Sequence, residues 1–465
     1  MRRTPLLIAV VSLAGALAAS ATAAGKTSAT LTFRQYTSPV GAAGHQGDLP
    51  PAATDPAPFG IYQQDGIGDN CGEPSLGVSP GGAVLYACGL QALRVSFDGK
   101  GAGSSTWTDV TPKVEGEQSS DPIIWQDPST GRVFMNQLMP QGCSLMAYTD
   151  NFAETWTQTP LGCGAGIAFD HQTVGTGTPR LLKTAPTYPN IVYYCTNDVA
   201  AADCSTSLDG GLTFSPAHPV FGPESACAPI TGHVKSAPDG TVYLMPDGCG
   251  AHQSVWVSEN DATTWTERPI PGSTVGDAGH PVVATGRDGT VYAAWGSNDN
   301  VRGGRIHVSV SRDKGVHWTA PIPLGKEKGI KVSRFPIGVA GDGDRAVIGF
   351  LGSTSGGDPG NKNLFKGRWD LYLSYTYDRG KHWVTYNATP GSPVQVGSVC
   401  TGGLGCDGDR NLLDFNEMVI GPDGRVIVAF ADGCLKTKGC TTKDRLRKGA
   451  IVKQLGGTPL LRVVK

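Results

Sequence analysis

The segment Ser311-Arg-Asp313-Lys-Gly315-Val-His-Trp318 contains the pattern that decides the fold of this chain. An Asp at the third position can accept backbone N–H bonds across a tight turn, and the Gly two residues later supplies a positive φ angle. The Trp that follows is suited to packing between sheets. We therefore predict that this segment closes a β-hairpin and has a structural role, with no part in catalysis.

The same pattern, in stricter or looser form, recurs along most of the chain. The further copies begin at Ser96, Thr149, Ser207, Ser258 and Thr376. Successive copies start 51 to 65 residues apart. A repeat of this length is typical of folds in which one supersecondary unit is copied many times.

A second repeated element, a strand followed by a turn and another strand, precedes each copy. Residues 233–243 and 282–292 show it clearly, because Asp-Gly separates two runs of alternating β-formers. Counting this element gives units that start near residues 73, 121, 170, 232, 279, 334 and 414. Four short strands per unit, repeated radially, indicate an all-β fold of the β-propeller type. We predict seven blades, with six as the alternative if the first or last unit is incomplete.

The N-terminal residues predict export and suggest how the ring closes. Residues 1–23 read as a signal peptide, with Arg2 and Arg3, a short apolar run and a small-residue cleavage site. Residues 24–70 look like an extended arm, in which residues 30–37 alternate like a strand that could pair with the last blade. Residues 71–465 are predicted to form a single propeller domain. We expect a secreted, extracellular protein without a membrane anchor.

Composition and charge narrow the function classes. Of 465 residues, 65 are Gly and 33 are Pro, and only 17% are charged. This favours many turns, while 39% apolar residues are enough for a large core, which excludes a disordered chain. The net charge is −2, and it becomes −4 without the two signal-peptide arginines. No basic field for nucleic acid exists, and we expect a monomer.

Twelve cysteines in an exported chain predict disulfide bonds. The C-x-x-C pairs of a zinc site are missing from the sequence. On the propeller scheme, all twelve fall on the face opposite the repeated turns. The predicted pairs each close a short loop: Cys71–Cys88, Cys143–Cys163, Cys195–Cys204, Cys227–Cys249, Cys400–Cys406 and Cys434–Cys440.

Polar residues stand at the starts of the innermost strands, on the same face as the cysteines. They are Glu73, Asp121, Asp170, His171, His233, His280, Arg334, Asp414 and Asn416. A radial fold would bring them around one central pocket. Two separated carboxylates suit acid/base work on a glycosidic bond, and Arg334 could hold a carboxylate or a uronic acid.

Several alternatives stay open for these residues. Polar groups at strand starts often only cap a channel and hold water. The three histidines could take a metal ion or shuttle protons. Asp407-Gly-Asp409-Arg-Asn411 resembles the start of a calcium loop, but it lacks the Gly and Glu that such loops carry later. We expect no cofactor, with a structural calcium ion as the alternative at that loop.

The repeated pattern is similar to the Asp-box, or bacterial neuraminidase repeat, of the sialidase superfamily, over about residues 73–456. The resemblance implies a sialidase-like Asp-box propeller, a fold shared by sialidases, other glycoside hydrolases, polysaccharide lyases and proteins without known chemistry. Sialidases hold the substrate carboxylate with three arginines, one of them in a Phe/Tyr-Arg-Ile-Pro motif. The matching place here reads Cys71-Gly-Glu73-Pro74, so exo-sialidase activity is not expected.

Two hypotheses for function follow from the resemblance and the polar residues. The first is a protein that recognises an extracellular carbohydrate and, if catalytic, acts on it as a glycoside hydrolase or polysaccharide lyase. Glu73, Asp121, Asp170 and Asp414 would then be the acid/base candidates. His171, His233, His280, Arg334 and Asn416 would contact the substrate. The second hypothesis is a non-catalytic extracellular recognition or scaffold propeller.

Overall fold

The fold was analysed in a computed structural model, which describes most of the chain in thirteen separate ranges. These are residues 30–39, 67–69, 71–89, 91–97, 104–112, 121–139, 143–159, 170–182, 187–197, 200–298, 304–406, 409–434 and 439–462. The predicted signal peptide, most of the predicted arm, Cys163 and Asp407 lie outside these residues. No helix in the described segments is long and apolar enough to cross a membrane.

The described residues form seven antiparallel sheets, which confirms the seven-bladed β-propeller. Five sheets have four consecutive strands, one has an additional fifth strand, and the last one includes β1. Blade 1 contains β2 (Leu76–Val78), β3 (Val84–Cys88), β4 (Gln91–Ser96) and β5 (Thr106–Asp109). Blade 2 contains β6 (Ile123–Gln126), β7 (Val133–Met139), β8 (Cys143–Thr149) and β9 (Thr157–Thr159). Blade 3 contains β10 (Asp170–Gly177), β11 (Ile191–Asn197), β12 (Ala202–Ser207) and β13 (His218–Phe221).

The remaining blades follow the same order. Blade 4 contains β14 (Lys235–Ser236), β15 (Val242–Leu244), β16 (Ser254–Ser258) and β17 (Thr266–Pro269). Blade 5 contains β18 (Val282–Thr285), β19 (Val291–Gly296), β20 (Ile306–Ser311) and β21 (Ile322–Pro323). Blade 6 contains β22 (Val332–Ala340), β23 (Ala346–Ser353), β24 (Arg368–Thr376) and β25 (Val384–Asn387), with β26 (Gln395–Val396) beside β24. Short 3-10 helices span Pro223–Ser225, Lys326–Lys328 and Gly403–Gly405.

Blade 7 joins the two ends of the chain in one sheet. It contains β27 (Glu417–Ile420), β28 (Val426–Asp432) and β29 (Lys448–Gln454), and its fourth strand is β1 (Phe33–Thr37). β1 pairs antiparallel with β29 over five residues, from Phe33 opposite Gln454 to Thr37 opposite Ala450. The ring is thus closed by hydrogen bonds between strands that are more than 400 residues apart in sequence.

The repeated turn has the hydrogen bonds that its sequence predicts. In blade 3, Asp209 Oδ1 accepts bonds from the Ser207 hydroxyl (2.7 Å) and the Thr213 N–H (2.9 Å). The Gly211 N–H donates to Ser207 Oγ at 2.8 Å, and Gly211 adopts a φ of +94°. A Cβ at Gly211 would lie 2.9 Å from the ring of Phe134 in blade 2, so the turn also fits tightly against the preceding blade.

Large side chains fill the spaces between adjacent sheets. Trp295 of blade 5 is fully buried and belongs to the same cluster as Tyr243 of blade 4. Trp383, the aromatic residue of the blade 6 turn, meets Tyr292 of blade 5 edge-on with ring centroids 6.1 Å apart. Because each blade rests on its neighbour in this way, the inner strands are held around one axis.

Candidate functional site

The inner strands all begin at the same end of the axis, because every blade has the same antiparallel order. The turns that join first to second strands and third to fourth strands lie at the other end. We call these two ends the entry face and the turn face. Most of the sequence-predicted polar residues stand just before or at the inner strands, so the structure gathers them at the entry face.

The backbone that leads into several inner strands is strained. Non-glycine residues have positive φ angles there: Glu73 (+54°), His171 (+46°), Phe335 (+55°) and Leu413 (+57°). Such conformations cost free energy and tend to persist where the surroundings fix a functional side chain. In blades 3 and 6, the strand pairing also shifts register at this point, between Asp170 and Thr173 and between Arg334 and Ile337.

Three of the predicted acidic residues, Glu73, Asp121 and Asp414, come together with the cation Arg410. We call this group the acidic cluster. The carboxyl of Glu73, which is 2% exposed, lies within hydrogen-bond reach of the carboxyl of Asp121. Burial, followed by the negative charges of Asp121 and Asp414, raises the pKa of Glu73 well above its usual value, although Arg410 opposes this. A neighbouring negative charge favours the protonated form of a carboxyl, so Asp121 and Asp414 act on Glu73 in the same direction as burial.

Arg410 gives the cluster its positive charge. Its Nε donates to Asp414 Oδ1 at 3.1 Å, and its terminal nitrogen bonds the other oxygen of the same carboxylate. The same guanidinium lies 3.9 Å from Glu73 Oε1. The guanidinium of Arg410 and the carboxylate of Asp414 remain partly exposed, so this ion pair is the part of the cluster that a ligand can reach.

The three predicted histidines meet beside the acidic cluster, around the ring of Phe415. The ring centroid of His171 lies 4.1 Å from that of His280 and 5.5 Å from that of His233. Phe415 contacts His171 and His233 edge-on, with centroids 5.2 Å and 4.8 Å away. We call this group the histidine cluster. The backbone N–H of His171 donates to Asp121 Oδ2 at 3.2 Å, which connects the two clusters.

Each histidine has a different electrostatic environment. Burial, together with His280 and His233, holds the pKa of His171 well below its usual value, so this ring is neutral near pH 7. His233 Nδ1 donates to Glu417 Oε2 at 2.8 Å. Burial alone would raise the pKa of Glu417, but Lys235 and His233 outweigh it and lower the pKa to about 2. His280 Nδ1 lies 3.2 Å from Asp247 Oδ1.

The other predicted site residues have separate surroundings. Arg334 is buried, and its Nη1 donates to the backbone carbonyl oxygens of Asp277 (2.5 Å) and Ser333 (3.2 Å). Burial lowers its pKa. Asp170 opens β10, where its backbone pairs with Asn197. Asn416 lines a cavity of about 20 Å³ together with the histidine cluster, which is enough space for about one water molecule.

The disulfides brace the entry face. Five predicted pairs are present: Cys71–Cys88, Cys195–Cys204, Cys227–Cys249, Cys400–Cys406 and Cys434–Cys440. The sixth pair involves Cys163, which lies outside the described residues. The Cys400–Cys406 bond adjoins the acidic cluster in sequence, and the Cys400 N–H donates to the carbonyl of Asp409 at 3.1 Å. A cystine at this place holds the loop that carries Arg410.

Two predicted ion sites can be compared with the structure. Within the described part of the chain, the His, Cys, Asp and Glu groups whose ligand atoms lie within 4.8 Å of one another all include disulfide-bonded cysteines, and the histidine cluster is not among them. The calcium-like loop keeps only Asp409 of its two aspartates within the described residues, and Asp409 is buried. Among the residues that the structure describes, neither place gathers the ligand set of a metal centre.

Sequence reasoning missed several members of the site. Arg410 carried a signal, because it precedes Asp414 by four residues in a polar stretch. Glu417 and Lys235 open the inner strands β27 and β14, so they met the same strand-start criterion as the predicted residues, whereas Asp247 lies in a loop and carried no such signal. Their roles depend on contacts between blades that are far apart in the chain.

Comparison with known proteins gives similarity of architecture only. No protein-family model matches the chain, and no curated protein matches it. Among solved structures, the lectin BP39L from Burkholderia pseudomallei is 12% identical, with a TM-score of 0.48, over 84% of this chain and 99% of that one. A mutant of the Aleuria aurantia lectin in complex with Fucα1-6GlcNAc is 9% identical, with a TM-score of 0.44, over 69% and 96%. The NanB sialidase from Streptococcus pneumoniae is 10% identical, with a TM-score of 0.39, over 86% and 71%.

Proposed function

We propose that this protein is a secreted, sialidase-like β-propeller that recognises an extracellular carbohydrate at its entry face. The observation that carries the proposal is the acidic cluster, in which Glu73, Asp121, Asp414 and Arg410 converge from blades 1, 2 and 7. Carboxylates accept charge-assisted hydrogen bonds from sugar hydroxyls, and a guanidinium donates them to ring and hydroxyl oxygens. A mixed set of donors and acceptors therefore matches a polyol.

The site is also preorganised, which favours recognition of a specific ligand. Positive φ angles at Glu73 and Leu413 and the Cys400–Cys406 disulfide fix the segments that carry the charged groups. Preorganised groups lose less conformational entropy when a ligand binds. The partly exposed Asp414 and Arg410 would make the first contacts, while the buried Glu73 and Asp121 support them.

Cleavage of the bound glycan is the second candidate, and the raised pKa of Glu73 favours it. A carboxyl whose pKa is raised can act as a general acid near neutral pH. Glycosidases place their two carboxyls roughly 5 to 10 Å apart, whereas the carboxyl of Glu73 lies within hydrogen-bond reach of that of Asp121. The base would therefore have to be Asp414, and binding without cleavage is the function that the geometry favours.

A panel of sialosides, uronic-acid polymers and plant and microbial glycans tests the proposal. Binding and release of reducing sugar are measured for the wild type, for Asp414→Asn and for Arg410→Met. Asp423→Asn, at an exposed turn of the same blade on the turn face, is the matched control. We expect at least one glycan whose affinity falls about tenfold or more in both entry-face variants but not in the control.

The same panel separates the candidate functions. If cleavage occurs and Glu73→Gln abolishes it while binding remains, the protein is an enzyme. If no glycan binds, or if binding is unchanged in Asp414→Asn and Arg410→Met, the carbohydrate proposal is wrong. The non-catalytic scaffold hypothesis would then be the better description of the propeller.

A further inference from the structure

A second cavity, larger than the space at the histidine cluster, opens at the turn face. Its volume is about 710 Å³, and the inner strands of the blades form its wall. The turns that follow β2, β6 and β27 form its mouth, with Ser79, Ser129 and Pro422 among the lining residues. This volume is in the range of ligand pockets in proteins.

The wall of this cavity is mostly apolar. Val78, Trp125, Val339 and Ile420 line it and are only partly buried, although they belong to four inner strands. Fully buried aliphatic side chains, including that of Val283, lie behind and between them. Partly exposed apolar groups that face one another across an axis provide a surface that gains free energy when an apolar ligand covers it.

The polar groups at the inner end of the cavity are few and fixed. Lys235 Nζ lies 4.9 Å from the centroid of the Trp125 ring and 3.9 Å from Glu417 Oε2. Trp125 is itself held in place, since its Nε1 donates to Thr176 Oγ1 at 2.9 Å. Glu417 already accepts bonds from His233 at 2.8 Å and from the Met418 N–H at 3.0 Å. An ammonium with three donors can serve a ligand as well as Glu417.

The cation at the inner end of this cavity favours an anionic ligand group there. Among the described residues, the charged lining groups are Lys235, its neighbour Glu417, and Arg287 at the mouth, where the Arg287 guanidinium lies 3.7 Å from Asp342. The inner strand from Glu417 to Gly421 spans four residue steps, or about 13 Å. The wall of the cavity is therefore roughly that deep, and the Lys235 ammonium lies at its inner end.

We propose that the turn-face cavity binds a small amphipathic carboxylate, with its carboxylate at Lys235 and its aliphatic body against Val78, Val339 and Ile420. The carboxylate would receive a charge-assisted hydrogen bond from Lys235 Nζ. This site is distinct from the acidic cluster, because it opens on the other face. Its occupant does not depend on the carbohydrate proposal.

The test uses decanoate as the ligand and the anionic dye anilinonaphthalene sulfonate as the reporter. Decanoate should displace the dye from the wild type about tenfold more effectively than decanol or decyltrimethylammonium. In Lys235→Met, which keeps the aliphatic stem, this preference for decanoate over decanol should vanish. Lys328→Met, at an exposed lysine of a 3-10 helix, is the matched control and should behave like the wild type.

A second variant covers the case in which Lys235→Met does not fold. Ile420→Trp fills the cavity without touching Lys235, and it should weaken decanoate about tenfold or more. Its control is Val384→Trp, at a valine that is 49% exposed on an outer strand. The proposal is wrong if decanoate does not displace the dye, if decanol equals decanoate in the wild type, or if Ile420→Trp leaves displacement unchanged. Loss of glycan binding by the entry-face variants would not affect these results.

Discussion

Asp432, the last residue of β28, should make the stability of the ring closure depend on pH. Its carboxyl is fully buried and accepts bonds from the Cys434 N–H and from Gln35 Nε2 of β1, both at 2.8 Å. Its strand neighbour Lys448 bonds instead to the carbonyl of Pro39. Burial therefore dominates, although the two bonds oppose it, and it raises the pKa of Asp432 from 3.8 to about 8.

The sign of the effect follows from proton binding. Because the folded-state pKa is above the unfolded value, the folded protein binds the extra proton between about pH 4 and pH 8. The stability that this proton provides is fully present below about pH 4 and is lost as the pH rises towards 8. One pH unit corresponds to about 1.4 kcal/mol, so the loss by pH 7 is about 4 kcal/mol.

Asp432→Asn removes this dependence while keeping the hydrogen bonds. An Asn carbonyl can accept from Cys434, and its amide can donate to Gln35 once the Gln35 amide is flipped. The free energy of unfolding of the variant minus that of the wild type should therefore increase by about 3 kcal/mol when the pH is raised from 5 to 7. Urea unfolding followed by Trp fluorescence at these two pH values measures the difference.

The control for this experiment is Glu154→Gln, at an exposed carboxylate in the turn of blade 2. It should change the unfolding free energy by less than about 0.5 kcal/mol at either pH. An Asp432→Asn effect of the same size at pH 5 and pH 7 would refute the reasoning, because it would mean that Asp432 titrates alike in the folded and unfolded chains.

Three further variants test contacts that hold the blades. Asp209→Ala removes the bonds to the Thr213 N–H (2.9 Å) and hydroxyl (2.6 Å), so unfolding free energy should fall by about 1–2 kcal/mol, and Asp209→Asn should fall less. Replacing both Cys195 and Cys204 by Ser opens a nine-residue loop and should cost about 2–3 kcal/mol; an unchanged midpoint in urea would contradict this. Arg132→Met breaks two 2.7 Å bonds to Asp150 and one 2.9 Å bond to Gly210, and it should lower the thermal midpoint at a cost of about 1–2 kcal/mol. A midpoint equal to that of the wild type would show that Arg132 does not hold blades 2 and 3 together.

The architecture could be predicted from the sequence because its signals are local. The turn of Ser311-Arg-Asp313-Lys-Gly315 depends on bonds within a few residues, and so do the first-to-second strand hairpins. Local turns repeated at similar intervals leave few ways to arrange the strands. The disulfides could be paired for the same reason, since each described pair closes a loop of 6 to 22 residues.

The site could be predicted only in part, because it depends on side-chain direction at irregular strand starts. Glu73, Asp121 and Asp414 converge as their positions on the scheme indicate. Arg334 follows the scheme in position, but a register shift and the positive φ of Phe335 coincide with its guanidinium meeting Asp277 and Ser333. A one-residue shift reverses the face to which side chains point. Such a shift could not be predicted from the residue types in the sequence.

The shared sheet of blade 7 has a consequence for how this protein matures. Since β1 supplies the outer edge of the sheet formed by β27, β28 and β29, the last blade is incomplete until the C-terminal strand has been synthesised. A nascent chain can assemble its earlier blades in order. The backbone N–H and C=O groups of β1 that pair with β29 have no strand partner until β29 has been synthesised. Cutting the chain just after Thr37 would therefore leave every other blade covalently intact. It would release β1 from the rest of the chain, so that only the pairing between β1 and β29 would hold it in the last blade.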